Sequence, residues 1–71
     1  MVNIELLKQY IDDSGMTMVS IAKKAEMSRE TLYNRLSGVG EFTASEIVGL
    51  SKALKLSNSI RNSIFFSNEV E

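Results

Sequence analysis

A polar stretch in the middle of the chain has the residue types and spacing to hydrogen-bond to a nucleic acid. Leu32 and Leu36 lie about one helical turn apart between Ser28 and Gly38, which suit the start and the end of a helix. When both leucines face a core, rotation of about 100° per residue turns the polar side chains between them outward. Arg and Asn match base edges in the major groove of DNA, and an exposed helix start attracts phosphate. The polar set consists of Arg29, Glu30, Asn34 and Ser37, with Tyr33 beside them and Ser28 at the amino end.

The residues needed for most catalytic and metal-binding chemistry are missing. The chain has no Cys and no His, which excludes thiolate and imidazole metal ligands, a Cys nucleophile and a histidine general base. The carboxylates show no spacing that converges in a cleft, and there is no glycine-rich phosphate loop. We therefore expect no enzymatic activity, no metal, no cofactor and no small-molecule substrate.

The charge is distributed unevenly along the chain. The net charge is -1 and the pI about 5.4, which is acidic for a nucleic-acid-binding domain. Residues 16 to 40 nevertheless contain four basic and two acidic residues, whereas the remainder contains four basic and seven acidic residues. The positive charge is therefore mildly concentrated around the polar set.

The hydrophobic periodicity predicts five short helices that position this set. Apolar residues recur three and four apart, and turn residues separate the segments. Gly15 suits the end of the first helix, Thr17 caps the second, and Thr43 and Glu46 form a T-x-x-E capping box before the fourth. The second and third helices meet across a tight turn, which is a helix-turn-helix arrangement. The predicted helices cover residues 3 to 13, 18 to 25, 29 to 37, 44 to 54 and 58 to 66.

A chain of 71 residues is long enough for one small all-α domain, so we predict a single domain over residues 1-71, with a frayed tail at 67-71. No apolar run approaches the roughly 18 residues that a membrane span needs. We expect a cytoplasmic protein with no membrane partner. The apolar stripes assign to the core Ile21, Ala22, Leu32, Leu36, Ile47, Leu50 and Leu54.

Residues 17 to 32 resemble the helix-turn-helix of phage repressor and Cro-type regulators, the XRE-like family. The matching features are the packed pair Ile21-Ala22, the turn at Met27-Ser28, the inward Leu32 and the following Gly38. The similarity extends through residues 33 to 38, 40 to 43, 46 and 47, 54 to 56 and 64 to 66. Over nearly its whole length, the chain therefore resembles short Cro-like proteins of phages that infect Gram-positive bacteria.

The resemblance implies a compact five-helix bundle of the lambda-repressor-like DNA-binding type, in which helices 2 and 3 form the helix-turn-helix. It implies a homodimer that binds double-stranded operator DNA and represses transcription. By position, the residues facing bases would be Ser28, Arg29, Glu30 and Asn34, with Tyr33 beside them, and those approaching phosphates would be Thr17 and Ser37.

Three positions depart from the pattern of the family. Met18 stands where a Gln usually braces the third helix, and Glu26 stands where the turn usually has Gly. Glu26 must then tolerate left-handed geometry unless the turn is built differently. Ile11 and Leu36 replace a pair of Arg and Glu, so we predict an apolar contact there, since apolar packing often substitutes for a buried ion pair.

Several assignments have an alternative. Glu30 is either a cytosine contact or a cap of the helix start, and Tyr33 is either half-buried packing or a DNA contact. Lys24 is a further candidate for a phosphate contact, with a solvated helix face as its alternative. Of Phe65 and Phe66, one is expected in the core and one against a partner.

The dimer surface is expected around residues 64 to 66 with the loop after the third helix. For the whole chain, the acidic pI favours a second interpretation, in which the fold is a protein-binding module such as an antirepressor or an antitoxin-like partner.

Overall fold

The computed structural model describes residues 1-66, which form five α-helices and no strand. The helices are α1 (Ile4–Ser14), α2 (Met18–Lys24), α3 (Arg29–Leu36), α4 (Ala44–Ala53) and α5 (Asn58–Phe65). The all-α fold class is confirmed, and the helix bounds agree with the prediction to within one or two residues. The predicted frayed tail lies outside the described residues.

Each helix begins at a polar cap whose side chain accepts a hydrogen bond from a free backbone N–H of the first turn. The predicted caps of the second, third and fourth helices are confirmed, and so is the capping box, in which the Thr43 side chain accepts from the Glu46 N–H and the Glu46 side chain accepts from the Thr43 N–H. The cap residues are Asn3, Thr17, Ser28, Thr43 and Ser57.

Helices α2, α3 and α4 end in the same C-terminal motif. In each, a left-handed residue follows the cap, and two N–H groups turn back to carbonyls of the last turn, which is the Schellman pattern. The left-handed residues are Glu26 (φ 60°), Gly38 (φ 94°) and Lys55 (φ 56°). The left-handed geometry predicted for Glu26 is confirmed. Lys55 adopts the same geometry without having been predicted to.

Each helix contributes one fully buried side chain to the core. These are Leu7, Ile21, Leu32, Leu50 and Ile64. Phe65 is also buried and packs edge-to-face on Phe42 at 5.3 Å between ring centroids. Two residues assigned to the core, Ile47 and Leu54, are only partly buried and pack against its edge. This correction arises because both lie at the rim of the α4 apolar stripe.

Helix α4 packs closely on the end of α2. Gly49 lies at their contact, where a Cβ would overlap the carbonyl oxygen of Ala25. At the other side of the molecule, the Asn3 N–H donates to the Ile64 carbonyl at 2.7 Å and ties the start of α1 to α5. Among residues 1-66, no helix has the length and apolarity to cross a membrane.

Candidate nucleic-acid interface

Helix α3 presents a polar surface while its opposite side is buried. Leu32 and Leu36 lie in the core. The side chains of Arg29, Glu30 and Asn34 are exposed and make no hydrogen bond or ion pair with any other part of the described chain. Their donors and acceptors are therefore available to a ligand. We call the exposed residues 29, 30, 33, 34 and 37 the α3 polar face.

Ser28 caps the amino end of this helix. Its hydroxyl oxygen accepts from the Thr31 N–H at 3.0 Å, and its hydrogen is donated to Thr31 Oγ1 at 2.8 Å. The hydroxyl of Ser28 is thus engaged within the chain. The alternative that Glu30 caps this helix is not borne out, since the side-chain cap is Ser28.

Tyr33 and Ser37 lie together at the edge of the α3 polar face. They line a cleft with Met18 at the start of α2 and with Ile11 of α1. Tyr33 remains half exposed, so packing against the cleft leaves its outer half accessible. Met18 is partly buried against the core, so a thioether now fills the place where the resemblance led us to expect an amide.

Ile11 and Leu36 line this same cleft and both belong to the buried core. This is the arrangement expected for the apolar contact predicted between them. Such a contact would join the first and third helices without the desolvation cost of two charges.

The two other candidate phosphate residues lie on α2 at different ends. Thr17 is exposed and caps α2 by accepting from the Ser20 N–H at 3.1 Å, which leaves its hydroxyl hydrogen free to donate. Lys24 lines a depression between α2 and α4 together with Glu26 and Lys52, and no α3 residue lines that depression. Thr17 therefore lies at the amino end of α2, and Lys24 lies at its carboxyl end, in the depression against α4.

The loop from α3 to α4 is held by Arg35, which the sequence did not single out. Its guanidinium donates to both carboxylate oxygens of Glu46, at 3.1 Å and 3.3 Å, and to the Val39 carbonyl at 3.3 Å. Both side chains are largely shielded from solvent, with 19% and 14% exposed. Gly40 is left-handed, and a Cβ there would overlap the Arg35 guanidinium.

The signal for this ion pair was present but incomplete. Glu46 was predicted as a capping-box residue, and Arg35 lies on the flank of α3 between the buried leucines and the polar face. Sequence spacing does not tell which residue of α4 comes to lie against that flank. Among the described residues, no group of three or more His, Cys, Asp or Glu side chains is placed to hold a metal ion.

Two short helices joined by a tight turn, the second with an exposed polar face, define a helix-turn-helix protein of the DNA-binding class. A family model described as helix-turn-helix matches residues 7-57. The chain belongs to this family, in its XRE-type branch, and is therefore a DNA-binding regulator by class.

One relative is a protein of Haemophilus influenzae that carries no functional description. It is 38% identical over 65 residues, which cover 89% of this chain and 67% of the relative. No solved structure gives a significant match.

Proposed function

We propose that this protein is a sequence-specific transcriptional repressor of the Cro-like phage type that reads double-stranded operator DNA through α3. The observation that carries the proposal is the α3 polar face, with three exposed side chains that have no partner in the described chain. A helix of this kind fits the major groove of B-DNA, which is about 12 Å wide.

Each residue has a role that follows from its chemistry. Arg29 donates in bidentate fashion to guanine O6 and N7, Asn34 pairs with adenine N6 and N7, and Glu30 accepts from cytosine N4. Tyr33 lies beside these contacts at the edge of the cleft. Ser28 stands at the base-facing end of α3, where its proposed role is to hold the helix start in shape.

Phosphate contacts position the protein on the duplex. We propose that the Thr17 hydroxyl and the Ser37 hydroxyl supply them, because both residues are exposed. Lys24 is a less direct candidate, since it lies in the depression between α2 and α4.

The proposed repressor acts as a homodimer, because the base contacts of one copy supply little binding free energy. One good bidentate base contact contributes about 1 to 3 kcal/mol, and one copy offers few of them. Two copies related by a two-fold axis place two α3 helices in successive major grooves about 34 Å apart and so double the contacts.

The test of this proposal is footprinting on DNA that flanks the protein's own gene, followed by substitutions. We expect Arg29→Ala and Asn34→Ala each to lower affinity for the protected site at least about tenfold, with helicity unchanged in circular dichroism. Lys52→Ala and Asn58→Ala are matched controls, because both remove an exposed polar side chain outside α3. Equal losses in all four variants would mean that α3 has no special part in recognition.

The second candidate function is the protein-binding module. Phe66 favours it, since 57% of this large aromatic side chain is exposed. If Arg29→Ala and Asn34→Ala bind DNA as the parent protein does, while Phe66→Ala abolishes a complex with a protein partner, the module is the correct interpretation.

A further inference from the structure

Val39 differs from the two residues that occupy the equivalent place at the other Schellman ends. The residue after the left-handed position is Met27 behind α2, Val39 behind α3 and Leu56 behind α4. Met27 and Leu56 are partly buried against the core, whereas Val39 is 58% exposed. Only this one of the three apolar residues is left in solvent.

The positions of α3 on which Val39 would pack in the Schellman motif offer it no buried apolar side chain. In this motif the apolar residue normally packs on the last turn of its own helix. In α3 that turn offers Asn34 and Tyr33, which belong to the α3 polar face. The Val39 N–H donates to the Asn34 carbonyl at 2.8 Å, so the Val39 backbone lies beside Asn34 at the carboxyl end of α3.

The backbone of Val39 is also held in place. Its carbonyl accepts from the Arg35 guanidinium, which Glu46 fixes in turn. Left-handed glycines stand on both sides, Gly38 at φ 94° and Gly40 at φ 77°. An exposed aliphatic side chain on a fixed backbone, beside the α3 polar face, is suited to an apolar contact with the ligand of that face.

We propose that Val39 contacts the 5-methyl group of a thymine in the major groove, next to the base pair that Asn34 reads. This inference rests on the proposed function. The thymine methyl is the apolar group that the four bases present on their major-groove edges, so it is the group that an isopropyl side chain recognises. Val39 thereby adds a specificity contact after the end of α3.

The test replaces thymine by uracil, which lacks this methyl, at one position at a time. The duplex is one that the parent protein selects from a random-sequence pool, and affinity is measured by fluorescence anisotropy. We expect one thymine in each half-site at which the replacement lowers affinity by about fourfold, the effect of one buried methyl-sized group. Val39→Ala should lower affinity for the thymine duplex to a similar extent and should no longer respond to uracil at that position.

The controls separate this inference from the proposed function. Val48→Ala removes the same group from an exposed valine of α4 and should keep the parent's response to uracil. If the parent selects a duplex but Val39→Ala still responds to uracil as the parent does, the thymine contact is wrong and the proposed function stands. If Val39→Ala instead changes the oligomeric state in light scattering, Val39 is a subunit contact and the inference is overturned. If the parent selects no duplex, both fail.

Discussion

Glu26 holds a backbone conformation that costs a residue with a Cβ about 1 to 2 kcal/mol. Glycine avoids this cost but loses about 0.5 to 1 kcal/mol in conformational entropy on folding. We therefore expect Glu26→Gly to raise the free energy of unfolding by about 0.5 to 1 kcal/mol, measured by urea denaturation. Glu26→Ala is the control, because it removes the carboxylate and keeps the Cβ. If the glycine variant is no more stable than the alanine variant, the left-handed backbone at Glu26 is not strained.

Glu46 takes part in two neighbouring interactions, the capping box of α4 and the ion pair with Arg35. Its Oε1 accepts from the Thr43 N–H at 3.0 Å and from Arg35 Nε at 3.1 Å. One carboxylate therefore caps α4 and anchors the α3 flank at the same time. Because the ion pair is largely shielded, its partners are fixed relative to each other more firmly than an exposed pair would be.

At the scale of elements, the contact of α2 with α4 decides how the helix-turn-helix sits on the bundle. Gly49 lets the α4 backbone approach the Ala25 carbonyl. Replacing a glycine in a helix interior by alanine ordinarily raises the free energy of unfolding by about 1 kcal/mol. Here we expect the opposite, because the added Cβ meets backbone that can yield only if α4 moves away from α2.

The measurement is thermal or urea unfolding of Gly49→Ala. We expect a loss of about 1 to 3 kcal/mol in the free energy of unfolding, the usual cost of overpacking. A variant as stable as the parent, or more stable, would show that the two helices can separate without cost.

At the scale of the whole molecule, the carboxyl-terminal aromatic pair is divided between core and surface. Phe65 is 4% exposed and Phe66 57% exposed, so only Phe66 is available to a second copy. This agrees with the prediction that one of the two lies in the core. The partner-facing role of the other stays a prediction.

Phe66→Ser tests that role. We expect the variant to be monomeric in light scattering at concentrations where the parent is dimeric, and to bind DNA more weakly, since half of the base contacts are then lost from each complex. Val48→Ser serves as control, because Val48 is an apolar residue of α4 with a similar exposed fraction, 50%. If the Phe66 variant stays dimeric, the dimer forms through another surface.

The five helices, the caps of the second, third and fourth helices and the outward side of α3 could be predicted from sequence, because caps and apolar periodicity act between residues no more than about four positions apart. The left-handed conformation of Glu26 could be expected because the resembling family has Gly at that place in the turn. No such comparison pointed to Lys55.

Other features were decided by the tertiary structure, since they depend on residues far apart in the chain. These are the pairing of Arg35 with Glu46, the close approach of Gly49 to Ala25, and the place of Lys24 in the depression between α2 and α4. The exposure of Val39 belongs with them. Its neighbours in sequence predict only a turn, and whether an apolar side chain at that turn meets the core depends on where the bundle places the end of α3.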